Sequence, residues 1–470
     1  MLKAFAQFLT TMLQEVACGY AWIALVPSWQ AGILLGALTF LEPVVGALGL
    51  LGAICAWYAG RLAGAATLER SICVFNGLLG GLFLAHTWSL SPGLMALVLL
   101  SGIFSGWLTV VFGRLAWSLV SMPILSLPFV FVATLALAAS ASLSSLQPNQ
   151  YGAPPALWGG QADHFFAAIG NFYFLPIPLA GLFIACVLAF FSRYYLVLAV
   201  LGYGAAWSWF QLLGAAPEHL ASTGWDSNAI LAALVVGGLF AVPSWTSATL
   251  ALLAAVMAAW LSLSAGRMLS TAHLVPFSAP FVTAAWLVLY AAIHSVRMAP
   301  FFNLLKPDFP ERSYERAGVA RSRVGKPGSA VLALPFMGTW TVSQGFSGRY
   351  THRGAWRHAL DFIVMKGGKS FIGQGRQLQD FYAYNLPVLS PVYGQVWQVV
   401  NDVPDNLPGN VNVAANWGNF MTIKMNDGKF VLLAHLVPGS VLLLPGAWVK
   451  PGDVIGRCGN SGRSDRKSVV

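Results

Sequence analysis

The chain has 470 residues, 57% of them hydrophobic and 9% charged, with 26 Lys and Arg against 16 Asp and Glu. Soluble proteins devote about a quarter of their residues to charge, so this composition excludes an ordinary cytosolic enzyme and a disordered chain. A mostly membrane-embedded protein is expected.

The average hides a division. Residues 1–300 carry 7 basic and 6 acidic side chains, whereas residues 301–470 carry 19 and 10. Nine of the ten net positive charges therefore belong to the last part and read as a solvated basic face or a tether near anionic lipid, with no nucleic-acid partner. Cys18, Cys55, Cys73, Cys186 and Cys458 show no C-x-x-C spacing, and four lie in apolar segments where a thiol acts as a small hydrophobe.

A helical span needs about 20 apolar residues. Candidate spans lie near 20–41, 43–64, 94–112, 115–140, 174–191, 195–213, 247–264 and 275–297, with shorter Gly-rich stretches near 70–88 and 226–242. The short stretches carry the first landmarks, Phe75-Asn76-Gly77 and Ser227-Asn228-Ala229. Fifty-two residues after each Asn comes a Ser-x-Pro-Phe segment, Ser126-Leu127-Pro128-Phe129 and Ser278-Ala279-Pro280-Phe281. Both the Asn pair and the Pro pair are 152 residues apart, which points to internal duplication. With an odd number of crossings per half, the halves are inverted and a solute path lies at their interface.

An Asn amide in hydrocarbon needs partners, so Asn76 and Asn228 either cap a half-helix or face a polar lumen. Pro128 and Pro280 are expected to interrupt the helical ladder and free carbonyls. Ser126 and Ser278 supply hydroxyls, and Phe75, Phe129 and Phe281 offer either flat walls or ordinary packing. Glu69 and Asp226 either receive amide hydrogens near a mouth or serve helix ends. Carbonyls, hydroxyls and aromatic walls with few fixed charges suit a small, neutral, planar polar solute better than an ion.

These paired motifs resemble those of the urea transporter family over residues about 10–298. The resemblance implies a homotrimer of ten-helix protomers, each with two inverted five-helix repeats around a passive urea channel that needs no cofactor. It makes the Asn segments re-entrant pore helices and puts Phe75, Asn76, Phe129, Asn228 and Phe281 near the path. The opening of each repeat departs from the family pattern, at Met12-Leu13-Gln14-Glu15-Val16 and Ile169-Gly170-Asn171-Phe172-Tyr173-Phe174.

Residues 301–332, with Lys306-Pro307-Asp308, Glu311, Arg312, Glu315, Arg316 and Lys326-Pro327-Gly328-Ser329, read as a charged linker. Beyond it, strand-like segments at 392–400, 420–425 and 429–436 between turn residues predict a compact antiparallel β domain. Its His352, His358, Asp361 and His435 are the residue types that bind zinc and activate water.

The wording around them, His358-Ala359-Leu360-Asp361, Leu433-Ala434-His435-Leu436 and Gly459-Asn460-Ser461-Gly462, resembles the lysostaphin-like zinc metallopeptidase family over about 335–464. The resemblance implies cleavage of peptidoglycan peptides, with His352 and Asp361 as zinc ligands, His358 as the alternative first ligand and His435 as a catalytic group. The family's closing His-x-His does not follow Ser464. Zinc is therefore expected in a complete domain and only weakly in this one, and Asp465–Val470 is expected to be a non-native tail resembling a translated sequencing adapter.

The expected fold is a multi-pass all-α membrane protein with two inverted five-helix repeats (1–148 and 149–300), a linker (301–332) and a C-terminal antiparallel β-sheet domain (333–464). The expected function is passive conduction of urea or a similar small amide across a bacterial inner membrane. The alternative is a membrane-anchored zinc endopeptidase or wall-binding module. Arg61, Arg70, Arg114, Arg193, Arg267 and Arg297 are too sparse to orient the chain or to fix the side of the β domain.

Overall fold

The computed structural model describes residues 2–464 except 151–154, 217–219, 221–222, 296–297, 299–300, 303, 305–306, 325–331, 349–350 and 426–428. Arg297, Lys306, Lys326-Pro327-Gly328-Ser329 and the tail Asp465–Val470 lie outside the described residues. The chain divides into two compact units, a helical one comprising Met1–Ile293 with Phe301–Arg323, and a sheet-rich one comprising His294–Pro300 with Val324–Val470.

The first half of the helical unit contains α1 (Leu2–Ile23), α2 (Trp29–Thr39), α3 (Pro43–Leu62), α4 (Thr67–Thr87), α5 (Pro92–Val120) and α6 (Leu127–Ser140). The second contains α7 (Gly160–Gly170), α8 (Pro178–Phe191), α9 (Arg193–Leu212), α10 (Trp225–Leu234, continued by a π-helical turn Val235–Leu239), α11 (Trp245–Ser270) and α12 (Ala279–Ile293). Five of these, α3, α4, α5, α9 and α11, are long and apolar enough to cross a membrane. The segment Gly160–Tyr173 and α8 together make a sixth apolar stretch, bent by 78°.

Several predicted spans are redistributed. The run 20–41 breaks between α1 and α2, where Leu25 takes a left-handed φ of 59° ahead of Pro27. The runs 94–112 and 115–140 become a single 29-residue α5 and a short α6, separated by left-handed Ser121 and Leu125 around Pro123. The stretch near 70–88, too Gly-rich to read as a span, is the unbroken 21-residue α4. Its glycines are packing devices. A Cβ on Gly52 of α3 would lie 2.6 Å from Gly77 O of α4, and one on Gly102 of α5 would lie 2.7 Å from Gly52 O. Such backbone approach gains dispersion contacts where lipid supplies no hydrophobic drive between helices.

A buried ion pair fastens α1 to α3 and α4. Glu15, 3% exposed, accepts from Arg70 at 2.6 and 2.8 Å and from Trp57 Nε1 at 2.6 Å. The Glu15 segment, where the chain departs from the family pattern, is thus part of the scaffold.

The stretch expected as a linker contains a helix, α13 (Pro310–Val324). Among the described residues the sheet-rich unit holds three antiparallel sheets: β1 (Thr341–Gln344) with β2 (Asp361–Ile363), β3 (Pro387–Leu389) with β8 (Val454–Arg457), and a four-stranded sheet. The last has β4 (Gly394–Val400), β5 (Asn419–Met425), β6 (Phe430–Leu436) and β7 (Trp448–Val449) in the order β6-β5-β4-β7. Its core is built from Val388, Val396, Met421, Ile423, Leu433 and Ile455.

Candidate functional site

The two landmark asparagines are fully engaged. Asn76, on α4, donates from Nδ2 to Ile72 O at 3.1 Å and Leu125 O at 3.3 Å, while its Oδ1 accepts from Phe129 N at 3.1 Å. Asn228, on α10, donates to Gly224 O and Phe277 O, both at 2.9 Å, and accepts from Phe281 N at 3.2 Å. Every partner in the second set stands 152 residues after its counterpart. Each amide satisfies one free N–H at the start of a short helix and one carbonyl of the turn before it. Both side chains are buried, at 0% and 3% exposure.

Pro128 and Pro280 do not interrupt a ladder. Each is the second residue of its helix, where the missing N–H would have had no helical partner. The turns before them carry left-handed Leu125 at φ 52° and Phe277 at φ 49°, again 152 apart. Here the two halves meet: Ser126 Oγ lies 2.7 Å from Ser278 Oγ. When one hydroxyl donates to the other, the acceptor keeps a free hydrogen and both keep lone pairs.

Two residues of these segments, Phe129 and Phe277, belong to an aromatic cluster. Phe83, Phe129, Phe174 and Phe277 form a cluster with centroid separations from 4.8 to 6.5 Å, mostly edge to face. Of the predicted rings only Phe129 belongs to it. Phe281 is buried in the core and Phe75 is half-buried beside it. The sequence reading missed Phe83, Phe174 and Phe277; left-handed φ at Phe174 and Phe277 is invisible to hydropathy, although Phe277 stands beside the quoted Ser278. Glu69 accepts from Ala66 N at 2.9 Å and Asp226 from Ser227 N at 2.8 Å, both helix-end roles.

The α4 segment, expected as a re-entrant helix, is long and apolar enough by length and composition to cross a membrane. The shorter apolar helices are Trp29–Thr39, Leu127–Ser140, Trp225–Leu239 and Ala279–Ile293.

A model of the urea transporter family matches residues 13–293, more than half of the chain and all of α2 to α12. The chain belongs to the urea transporter family. No curated protein matches it. For this urea transporter family member, the match and the apolar helices together describe a multi-pass membrane protein. The match ends at the last residue of α12, before the sheet-rich unit.

In that unit, His352 Nε2 lies 3.1 Å from Asp361 Oδ1, and its Nδ1 lies 2.9 Å from Gly345 O. A carbonyl on one ring nitrogen that leaves the other facing a carboxylate is the outer-shell pattern of a metal-binding His. His435, left-handed at φ 63°, has Nδ1 2.8 Å from Ser461 O. His358 is exposed and accepts from Arg357 Nε at 3.1 Å. Among the described residues no group of three or more His, Cys, Asp or Glu gathers as a metal site. The donors present therefore fit two positions of a zinc site and not a full set.

Proposed function

We propose that the helical unit is a passive channel for urea or a similar small neutral amide, built from two inverted repeats. The observation that carries this reading is the contact of Ser126 with Ser278 at 2.7 Å, where two equivalent Asn-capped turns converge beside aromatic rings. A planar amide that parts the hydroxyls exchanges one hydrogen bond for two and lays its faces against phenyl rings, while an ion finds no compensating charge there. The homotrimer and the bacterial inner membrane, implied by the family resemblance, belong to the same proposal. Stopped-flow urea uptake into proteoliposomes tests it. Flux is expected without any ion gradient and to fall when Ser126 and Ser278 are both replaced by Ala; no flux above protein-free vesicles would sink it.

A second reading concerns the sheet-rich unit, as a lysostaphin-like domain acting on peptidoglycan peptides. The His352–Asp361 contact favours it. Zinc would sit on His352 and Asp361, with His435 near the reacting carbonyl, and would supply an activated water. Zinc titration of the full chain checks it: stoichiometric binding lost in His352→Ala supports the reading, and equal zinc content in that variant opposes it.

A further inference from the structure

Strand β6 is irregular where it carries His435. Asn419 pairs with Leu436 and Met421 with Leu433, so Ala434 and His435 together oppose the single residue Phe420 in a β-bulge. Bulges re-aim a side chain, and here His435 takes a left-handed φ of 63°. Its backbone is pinned on both sides: His435 N donates to Trp417 O at 3.1 Å, and His435 O accepts from Gly459 N at 2.8 Å. A residue outside glycine persists in that conformation only where its surroundings over-determine it, and such residues concentrate at functional sites.

Ser461, with 0% exposure, links this bulge to the neighbouring strand. Its Oγ accepts from Asn419 N at 2.9 Å and donates to Leu436 O at 2.8 Å, so it bridges the paired residues of β5 and β6. The residue before it is held as well, since Asn460 N donates to Asp405 Oδ1 at 2.7 Å and Asn460 O accepts from Asn406 Nδ2 at 2.9 Å. These bonds fix the Ser461 carbonyl, which lies 2.8 Å from His435 Nδ1. A carbonyl can only accept, so Nδ1 carries the proton and the neutral ring keeps its lone pair at Nε2. We propose that Ser461 is a positioning residue that holds His435 in the Nδ1–H tautomer and makes Nε2 the nitrogen that takes up a proton. The imidazolium so formed still donates from Nδ1 to Ser461 O, so one clamp serves both protonation states. Neutral His435 can thus accept a proton from water at Nε2 but has none there to give to an oxyanion. Use of this base in hydrolysis rests on the lysostaphin-like reading of the unit; the tautomer itself does not.

The test uses the full chain in micelles with isotopically labelled histidine. At about pH 8, where an ordinary imidazole is neutral, the ring carbon and nitrogen NMR shifts distinguish the two tautomers, and the signal lost in His435→Gln assigns the residue. The parent is expected to show the Nδ1–H form alone at His435; an Nε2–H form would overturn the proposal. Ser461→Ala deletes both hydroxyl bonds and should give a mixture of the two forms with the other histidine signals unmoved. Ser461→Thr keeps the hydroxyl and should restore the single form. Ser461→Cys, close in size with only a weak donor, makes the same comparison where the alanine variant does not fold. A single Nδ1–H form in both the alanine and cysteine variants would overturn the role of Ser461. The spectra need neither zinc nor peptide, so a failed zinc titration and a failed tautomer assignment are separate results.

Discussion

Replacing Asn76 by Leu keeps the branching and heavy-atom count of the side chain, in a somewhat larger volume, and deletes its hydrogen bonds to Ile72 O, Leu125 O and Phe129 N. Ile72 O retains its intrahelical partner, whereas the Phe129 N–H and Leu125 O are left unpaired in a site with 0% exposure at the Asn. Each orphaned group costs about 1–3 kcal/mol, and hydrogen bonds measured inside membranes average about 0.6 kcal/mol. For two orphaned groups the two bounds bracket a loss of about 1–6 kcal/mol for the variant. Reversible unfolding in mixed micelles measures it, and stopped-flow uptake reports whether the turn that holds Ser126 still conducts. Asn228→Leu should lose a similar amount, since its partners are the same backbone atoms displaced by 152 residues. A stability within about 0.5 kcal/mol of the parent, with altered solute selectivity alone, would refute the capping assignment and return Asn76 to the lumen.

Further outcomes follow from the same contacts. Phe277 pairs edge to face with Phe83 at 4.8 Å and with Phe129 at 5.6 Å, each pair being worth about 1 kcal/mol; Phe277→Leu should destabilise the helical unit by about 2 kcal/mol in micelle unfolding and weaken exclusion of methylated ureas in stopped-flow uptake. Gly77→Val drives a side chain into Ala56 and the Gly52 carbonyl and should destabilise the helical unit by about 1–3 kcal/mol, whereas Gly113→Ala, in open space, should stabilise it by up to about 1 kcal/mol; micelle unfolding separates the two. In the sheet-rich unit, burial first and the nearby Asp405 second push the Cys458 thiol up to about 12 from 9.0. The stability it contributes is complete below pH 9.0 and is lost as pH rises toward about 12, because the unfolded thiol ionises first; alkylation at alkaline pH should label Cys458 only after unfolding.

Much of the scaffold was legible because polar residues in hydrocarbon must be justified. Asn76, Asn228 and the two Ser-x-Pro-Phe segments stood out by cost, and their common spacing revealed the pairing that the hydrogen bonds display. The strands β4, β5 and β6 were legible from β-branched and aromatic runs bounded by turn residues. Helix boundaries were less so. Hydropathy sums over a window and cannot register single left-handed residues such as Leu25 and Ser121, which divide apolar runs into separate helices. Glycine misled for the opposite reason: on α4 it lowers hydropathy and helix propensity, yet it allows the close helix contacts that stabilise the span. In α13, charge suggested a linker, and only the folded contacts of Phe309 and Glu311 reveal a docked helix.

Duplication and divergence act on different parts of the helical unit. The bonds that hold the turns obey the 152-residue offset atom for atom, while the rings beside them do not. At that offset Phe83 and Phe277 correspond to Val235 and Leu125. Phe174 corresponds to Leu25, 149 residues earlier, through their shared left-handed φ of 54° and 59°. Three of the four clustered phenyls thus have aliphatic counterparts. A channel with equivalent limbs would present a solute with the same barrier twice; in the proposed channel the four rings, two from each half, have aliphatic counterparts at three of their four repeat-related positions. Converting Leu125 to Phe should then slow urea uptake without greatly changing stability, since the left-handed turn already accepts Phe at the equivalent Phe277. Uptake unchanged in Leu125→Phe and in Phe277→Leu alike would mean that neither limb carries the solute.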